Sequence, residues 1–279
     1  MTDTVSTQQV EDWRGAIGRS EVRRQVLEIE GLRRYAAAVG SDLDVEQSFP
    51  PLGHWACFVD TVGPERIGPD GHPRRGGGVI PAITLPRRMF ASSDLTFSAP
   101  LRPGEAAELT QTVADVRHRS GRSGELVFVE LDRVIRQGGE IALTERQTIV
   151  YRGLGEPVAS VIATDAAPGA GDEVWAPDGV DLFRYSAATF NSHRIHYDRT
   201  YAQTEEGYPD LVVHGPFTAA RLFAFAAARL GASPARFSFR ALAPLFVGQP
   251  VRLTVGGEPG VFEAIRCDGQ TAMSATASL

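Results

Sequence analysis

The chain of 279 residues contains no lysine, so all 28 of its basic side chains are arginines, and its formal net charge is −6. An acidic chain without a clustered basic tract is a poor binder of nucleic acid or of an anionic membrane surface. No window approaches the roughly 18 consecutive apolar residues of a membrane span. We therefore expect neither nucleic acid nor a membrane as a partner, while single arginines remain available for an anionic small molecule.

Cysteine is also scarce, because Cys57 and Cys267 are the two in the chain and neither lies in a CxxC pattern. A disulfide framework is therefore not expected, and a reducing compartment fits this usage best. The first residues, MTDTVSTQQVEDW, are polar and acidic and lack the charged-then-apolar pattern of a signal peptide. These observations predict a cytoplasmic protein.

An internal repeat organises the sequence. LRRYAAAV, which begins at Leu32, matches LFRYSAAT, which begins at Leu182, and PLRPGEAAELT from Pro100 matches PLFVGQPVRLT from Pro244. Apolar residues make up 43% of the chain, so a packed core is expected, and the length suits two domains of about 140 residues. Two matches in the same order indicate a duplication.

The two copies predict similar elements. Each begins with a helix, at 29–39 in the first copy and at 183–190 in the second. Alternating or β-branched runs then predict strands: DLTFSA, 107–115, ELVFVELDRVI and ALTERQTIVY in the first copy, and RFSFRAL, VRLTV, FEAIR and TAMSATASL in the second. HRSGRSG at 118–124 and RQGGE are turn signals. This arrangement is typical of an α+β fold.

A segment rich in Gly, Ala, Pro and Asp separates the copies. We interpret it as a linker. The predicted division is an N-terminal half at 1–155, a linker at 156–178 and a C-terminal half at 179–279.

One helix is predicted more strongly than the others. FTAARLFAFAAARLG follows His214, Gly215 and Pro216, and it is apolar on most of its surface. Pro216 suits a first helical turn, and Gly231 suits a C-terminal cap. A helix that is apolar on all sides is buried, so we expect a curved sheet to wrap around it.

Candidate chemistry is concentrated in YSAATFNSHRIHYDRTYAQTEEGYPDLVVHGP, which contains His193, His196 and His214. A zinc site is not favoured, because the HxxH spacing lacks the HExxH pattern and no cysteine is near. A serine nucleophile is not favoured either, because there is no GxSxG elbow. We expect no metal here. His193 is interpreted as a hydrogen-bonded structural residue, and His214 as an anchor of the following helix.

The other three histidines lie outside this segment. His54 and His72 occur in loops rich in Pro and Gly, and His118 occurs in a polar turn. We interpret all three as structural or solvent-exposed.

The segment resembles the signature of the MaoC-like, R-specific enoyl-CoA hydratases. Tyr185 opens it, His196 takes the place of its final His, and Val213-His214-Gly215-Pro216 takes the place of the helix start. TFNSHRIHYDRTYA, LVVHGPF, PPLGHWACF and LPRRMFA are typical of the type 2 hydroxyacyl-thioester dehydratases, in the branch that includes mesaconyl-C4-CoA and itaconyl-CoA hydratases. The resemblance covers nearly the whole chain.

This resemblance implies a tandem (double) hot-dog fold, in which each half is an antiparallel sheet wrapped around a central helix. It implies an acyl-CoA hydratase, a hydro-lyase that takes a CoA thioester as substrate and needs no cofactor. The alternatives are a 3-hydroxyacyl-thioester dehydratase acting on CoA or acyl carrier protein and, less favoured, a hot-dog thioesterase or a non-catalytic acyl-CoA binder. The tandem repeat satisfies the edge-to-edge pairing of such sheets internally, and further assembly into a homodimer is left open.

The resemblance also assigns roles. His196 is the expected general base and acid, because imidazole titrates near neutrality. Asn191 stands where the wider family has Asp, and a carboxamide can orient a water by hydrogen bonds. The N–H of Gly215, at a helix start, is the expected oxyanion donor. Offset by 150, the first copy has Glu46 and Ser41 at the positions of His196 and Asn191, so it lacks this chemistry.

The first half is then free to form an acyl pocket. Its expected lining is Trp55, with Pro50, Leu52 and Phe58. A dicarboxylic acyl group would need a cation, and arginine grips carboxylates bidentately. The substrate-binding candidates are Arg87, Arg88, Arg194 and Trp55.

Overall fold

The computed structural model describes residues 4–121, 124–164 and 167–279. In chain order its elements are α1 (Thr7–Arg14), β1 (Ser20–Val26), α2 (Ile29–Val39), β2 (Arg87–Phe97), β3 (Ala106–Gly121), β4 (Gly124–Gln137), β5 (Glu140–Arg152), β6 (Glu173–Trp175), α3 (Gly179–Ala188), α4 (Arg199–Thr204), α5 (Gly215–Leu230), β7 (Arg236–Ala241), β8 (Val251–Val255), β9 (Val261–Ile265) and β10 (Thr271–Ser278). Short 3-10 helices cover Gly53–Ala56, Pro64–Arg66 and Arg194–His196.

The ten strands within the described residues form one antiparallel sheet in the order β1-β3-β4-β5-β2-β7-β10-β9-β8-β6. The neighbouring strands β1 to β5 come from the predicted N-terminal half, and the neighbouring strands β6 to β10 follow it in the chain. The halves join where β2 pairs with β7, with Ser92 opposite Arg240 and Thr96 opposite Arg236. The sheet edges of the two halves therefore satisfy each other's backbone hydrogen bonds.

Helix α5 forms the core of the second half. It begins at Gly215 and ends before Gly231, whose positive φ of 76° gives the left-handed cap that glycine adopts without strain. Its side chains Leu222, Phe223 and Ala226 are fully buried and pack against the curved sheet. The strongest helix prediction is thus observed with the caps that its sequence indicates.

The corresponding space in the first half is filled differently. Within the described residues of that half the longest helix is α2, with 11 residues against 16 in α5, and Gly53–Ala56 forms a single 3-10 turn. Buried residues of the inner sheet face divide into two apolar clusters. Polar side chains, including Arg133 and Gln147, line a cavity there. The shorter helix leaves the first half room for that cavity.

The repeated helices lie against each other. Tyr35 of α2 and Tyr185 of α3, which the repeat aligns, are both buried, and their ring centroids are 6.2 Å apart. Helix α3 covers 179–188 rather than the predicted 183–190. Asp178 caps it earlier by accepting from the N–H groups of Val180 and Asp181, and Phe190 has a φ of 50°, which is not helical.

Among the described elements, helix α1 and strands β1 and β6 were not predicted from the sequence. Strand β6 lies inside the segment 156–178 that was interpreted as a linker, and it pairs with β8 at the edge of the sheet. The segment therefore contributes to the fold, while the division into halves stays a prediction. The central residues of the predicted turn at 118–124, 122 and 123, lie outside the described residues. No helix in the described ranges is long and apolar enough to cross a membrane.

Replacing Phe237 with alanine tests the packing beneath α5. Phe237 is fully buried in β7, with its ring centroid 5.1 Å from that of Phe223. We expect Phe237→Ala to lower the free energy of unfolding by about 3–5 kcal/mol, because it leaves a cavity in a close-packed core. The matched control is Phe183→Ala, since Phe183 is 65% exposed. Urea denaturation that gives equal losses for both variants would contradict this packing.

Candidate active site

The loop after α3 carries the predicted chemistry. Phe190 turns the chain with its positive φ, and the side-chain oxygen of Asn191 then accepts a hydrogen bond from the N–H of His193 at 3.0 Å. The 3-10 helix Arg194–His196 follows and brings His196 under the start of α5. The loop shape is therefore fixed by its own hydrogen bonds.

His196 is buried and held in one tautomer. Its Nδ1 lies 2.7 Å from the carbonyl oxygen of Val212. A carbonyl can only accept, so Nδ1 carries the proton and Nε2 keeps its lone pair. Burial, followed by the nearby His214 and His193, lowers the pKa of His196 well below its ordinary value. The ring is thus a neutral acceptor at physiological pH.

His214 packs against His196. Its ring stacks on that of His196 with centroids 3.6 Å apart, and its Nε2 lies 2.8 Å from the hydroxyl of Ser186. Burial lowers the pKa of His214 to about 3. His214 is also the N-cap residue of α5, as the sequence interpretation of a helix anchor expected.

Gly215 begins α5 directly after His214. Its N–H has no hydrogen-bond partner among the described residues, as expected at the first position of a helix. The positive end of the helix dipole adds to the attraction of this amide for developing negative charge. Gly215, like His196 and Asn191, lies on the wall of a cavity of about 580 Å³ between the two halves.

Three of the four substrate-binding candidates lie on the cavity wall. Trp55, Arg87 and Arg88 line the same cavity, whereas Arg194 is not one of its wall residues. Arg194 pairs with Asp198 at 2.7 Å and stacks over the ring of Tyr201. These contacts of Arg194 therefore stabilise the loop itself.

The two remaining arginines differ in their contacts with the rest of the protein. Arg87 is buried, donates to the backbone oxygen of Glu206 and lies over the ring of Tyr208. Arg88 is half-buried and makes neither an ion pair nor a side-chain hydrogen bond with any residue in the described ranges. Of the pair, Arg88 is the cation available to a ligand.

The first half supplies the opposite wall. Trp55 meets Phe90 edge to face at 5.6 Å, and Phe58 also lines the cavity. Leu52 instead packs in the hydrophobic core and Pro50 is buried, so these two do not form the pocket wall that was expected of them. Their place beneath the 3-10 turn Gly53–Ala56 explains the difference.

A charged network lies behind Trp55. The carboxylate of Glu145 is buried and accepts from Trp55 Nε1 at 3.1 Å, from Ser93 at 2.7 Å and from Arg133 at 2.7 Å. His54 is buried beside it, with Nε2 3.3 Å from the carboxylate. The structural interpretation of His54 agrees with this position. The network fixes Trp55 and Arg133 at the cavity wall, and nothing in the sequence pattern indicated it.

The structure brings His72 to the catalytic loop, which the sequence analysis did not expect. Its ring centroid is 4.2 Å from that of His193, and its Nδ1 is 3.3 Å from Asp70. The Nε2 of His193 lies 2.9 Å from the buried carboxylate of Glu206. The interpretation of His72 as a structural or solvent-exposed loop residue did not anticipate this position beside His193 on the cavity wall. The Asp-Gly-His spacing at 70–72 was the available signal.

These groups also have the composition of a metal site. Single ligand atoms of Asp70, His72 and His193 all lie within 4.8 Å of one another. Each is already engaged within the protein, since Asp70 faces His72 and His193 faces Glu206. The cluster is therefore able to act either through hydrogen bonds or as a ligand set.

Comparison of the sequence with known proteins identifies a family. A model of the family described as hydroxyacyl-thioester dehydratase type 2 matches residues 52–247. The chain is 41% identical over 279 residues to mesaconyl-C(4)-CoA hydratase of Chloroflexus aurantiacus, a match that covers 96% of this chain and 98% of that protein. It is 39% identical over 85 residues to the mitochondrial hydroxyacyl-thioester dehydratase type 2 of Schizosaccharomyces pombe, covering 29% of this chain and 28% of that one.

Solved structures agree on the fold. HtdX of Mycobacterium tuberculosis superposes with a TM-score of 0.65 at 19% identity, covering 93% of this chain and 99% of that one. A MaoC-like dehydratase gives 0.70 at 16%, covering 95% and 99%. A further M. tuberculosis protein, described as a double hotdog fold, gives 0.54 at 13%, covering 94% and 95%. The predicted double hot-dog fold is confirmed.

The buried histidines predict that stability falls in mild acid. Unfolding returns His196 and His214 to the ordinary histidine pKa of 6.5, so below that pH the unfolded chain binds protons that the folded chain excludes. We expect the free energy of unfolding to fall by up to about 1.4 kcal/mol per pH unit for each such histidine as the pH drops from 6.5 toward 3.

Urea denaturation at a series of pH values measures this slope. His214→Gln removes one titrating ring and should flatten the slope between about pH 6 and about pH 4. An unchanged slope in that variant would show that His214 is not buried in its neutral form.

Proposed function

Because the chain belongs to the hydroxyacyl-thioester dehydratase type 2 family, we propose that it is a hydro-lyase that adds water to an α,β-unsaturated CoA thioester, with a C4–C5 dicarboxylic acyl group of the mesaconyl or itaconyl type. The observation that carries this is His196, whose Nδ1 proton is held by Val212, on the wall of the same cavity as Gly215; neither His196 Nε2 nor the N–H of Gly215 has a hydrogen-bond partner among the described residues. The chemistry needs no cofactor, and the two cysteines are free, which fits a cytoplasmic setting.

His196 supplies the proton transfers. Its Nε2 removes a proton from water as the oxygen bonds to the β-carbon, and the π electrons move toward the thioester oxygen. The imidazolium then returns that proton to the α-carbon, which regenerates the neutral ring. Positioned acid–base groups of this kind contribute about 10²–10⁴-fold to a rate.

Gly215 stabilises the charge that develops during this step. The thioester oxygen gains enolate character, and the first N–H of α5 is a fixed donor with the helix dipole behind it. Asn191 contributes a different contact. Its side-chain oxygen accepts from the N–H of His193, and its NH₂ group is the donor that this cavity-wall residue offers to the water oxygen.

The dicarboxylic preference rests on two points. The relative that matches over nearly the whole chain is named for mesaconyl-C4-CoA. Arg88 is a half-buried cation on the cavity wall without an ion-pair partner among the described residues, and a carboxylate is the partner that guanidinium binds best.

The family description favours one second candidate. A 3-hydroxyacyl-thioester dehydratase would use the same residues in the reverse direction, with His196 taking the α-proton and returning it to the departing hydroxyl. Its substrates would carry an apolar chain on CoA or acyl carrier protein, so chain type and carrier separate the two candidates.

A substrate screen with pure protein tests the reaction. We expect loss of the conjugated thioester absorbance with mesaconyl- or itaconyl-type CoA substrates, and a fall in kcat of about 10²-fold or more in His196→Gln, because glutamine cannot accept the proton. Release of free CoA thiol would indicate a thioesterase, and binding of acyl-CoA without turnover would indicate a non-catalytic binder. Either result contradicts the proposal.

The role of Arg88 is tested by comparing substrates. We expect Arg88→Gln to raise KM about 10–100-fold for the dicarboxylic substrate, which corresponds to the loss of a hydrogen bond to a charged group, and to leave crotonyl-CoA nearly unchanged. Arg184→Gln is the matched control, because Arg184 is exposed and outside the cavity wall. Equal effects on both substrates would exclude recognition of the distal carboxylate by Arg88.

A further inference from the structure

The nucleophilic water needs two hydrogen-bond acceptors, one for each of its hydrogens. A water that attacks with one lone pair has two hydrogens to place, and His196 Nε2 accepts one of them. At position 191, where the wider family has Asp, the chain has Asn, and its only side-chain acceptor already binds the N–H of His193. One lone pair of this oxygen is thus taken, whereas the NH₂ group of Asn191 remains available to donate to the water.

His72 provides an acceptor of the required kind. Its Nδ1 faces the carboxylate of Asp70 at 3.3 Å, so that nitrogen carries the proton and Nε2 keeps its lone pair. Nε2 makes no hydrogen bond within the described residues, and His72 lies on the wall of the cavity that contains His196. Burial lowers the pKa of His72 to about 3, so the ring is neutral.

The loop that carries His72 is fastened to the catalytic loop. The N–H of Arg194 donates to the backbone oxygen of Asp70 at 2.9 Å, and the hydroxyl of Ser192 donates to the backbone oxygen of Gly71. A Cβ on Gly71 would lie 1.8 Å from the backbone oxygen of Ser192, so only glycine permits this approach. The position of His72 relative to the site is thus set by main-chain contacts.

We propose that His72, oriented by Asp70, is a second catalytic residue that accepts the other hydrogen of the nucleophilic water. This rests on the proposed hydration. The water then has four partners: His196 and His72 accept its hydrogens, Asn191 donates to one lone pair, and the second lone pair forms the C–O bond at the β-carbon. His196 takes one proton and returns it to the α-carbon, while the O–H held by His72 remains in the product.

The proposal gives the first half a part in the chemistry. The missing carboxylate at position 191 is replaced by an imidazole from the other repeat, with its own carboxylate, Asp70, behind it. The pair of His72 and Asp70 parallels the pair of His193 and Glu206. The ring of His72 packs against the ring of His193. A metal ion held by Asp70, His72 and His193 is the competing arrangement, and it would require His193 to turn from Glu206 or to bind through Nδ1.

Three variants test the proposal in the full-length protein with the substrate found in the screen. We expect His72→Ala to lower kcat about 100-fold with KM changed only a few-fold, since the lost contact acts on the water rather than on substrate binding. Added imidazole should restore part of the activity. Asp70→Asn should lower kcat as well, because its NH₂ group donates to Nδ1 and moves the ring proton to Nε2.

The matched control is His118→Ala. His118 also pairs with a carboxylate, that of Glu125, but it lies outside the cavity wall. We expect its kcat to equal that of the unmodified protein, and circular dichroism and thermal melting should show that all the variants are folded.

The outcomes separate the inference from the proposed function. Unmodified protein without turnover contradicts the hydratase assignment itself. Turnover by the unmodified protein, with folded His72→Ala retaining kcat within a few-fold, overturns the inference alone. The inference is also overturned if the protein binds one equivalent of a divalent metal in a His72-dependent way and loses activity on chelation that the same metal restores. In that case Asp70, His72 and His193 act as metal ligands.

Discussion

The hydrogen bond between His196 Nδ1 and the carbonyl oxygen of Val212 is the contact on which the site depends. It places the ring proton on the nitrogen that faces the protein and leaves the other nitrogen as an acceptor toward the cavity. Burial against His214 keeps the ring neutral, because a charged imidazole would lose its hydration there. His214 in turn is the N-cap residue of α5, so the same short segment supports the His196 ring and presents the N–H of Gly215.

The two halves depend on each other for this arrangement. The second half contributes His196 and the long buried helix, whereas the first half has a shorter helix and gives its inner space to the cavity. Pairing of β2 with β7 fixes the halves as one sheet. One half thus carries the histidine-rich loop, while the other half opens its inner space to the shared cavity.

Local patterns predicted the fold well, because strand alternation and the caps of α5 are encoded within a few neighbouring residues. Strand β6 was not predicted, since three residues in a Gly- and Pro-rich segment carry no periodicity. The placement of His196, Asn191 and Gly215 on one cavity agrees with the motif. His72, Glu206 and Glu145 could not be located in this way, because their importance comes from contacts between distant segments. Arg194 lies close to the motif in sequence but does not line the cavity, because it forms an ion pair with Asp198.

Nitrogen-15 NMR of histidine-labelled protein tests the central claim most directly, with the His196 ring assigned from the spectrum of His196→Gln. The account predicts a neutral His196 at neutral pH, with its proton on Nδ1 and an unprotonated Nε2, since burial holds its pKa well below the ordinary histidine value. An imidazolium at neutral pH, or a ring protonated on Nε2, would contradict it.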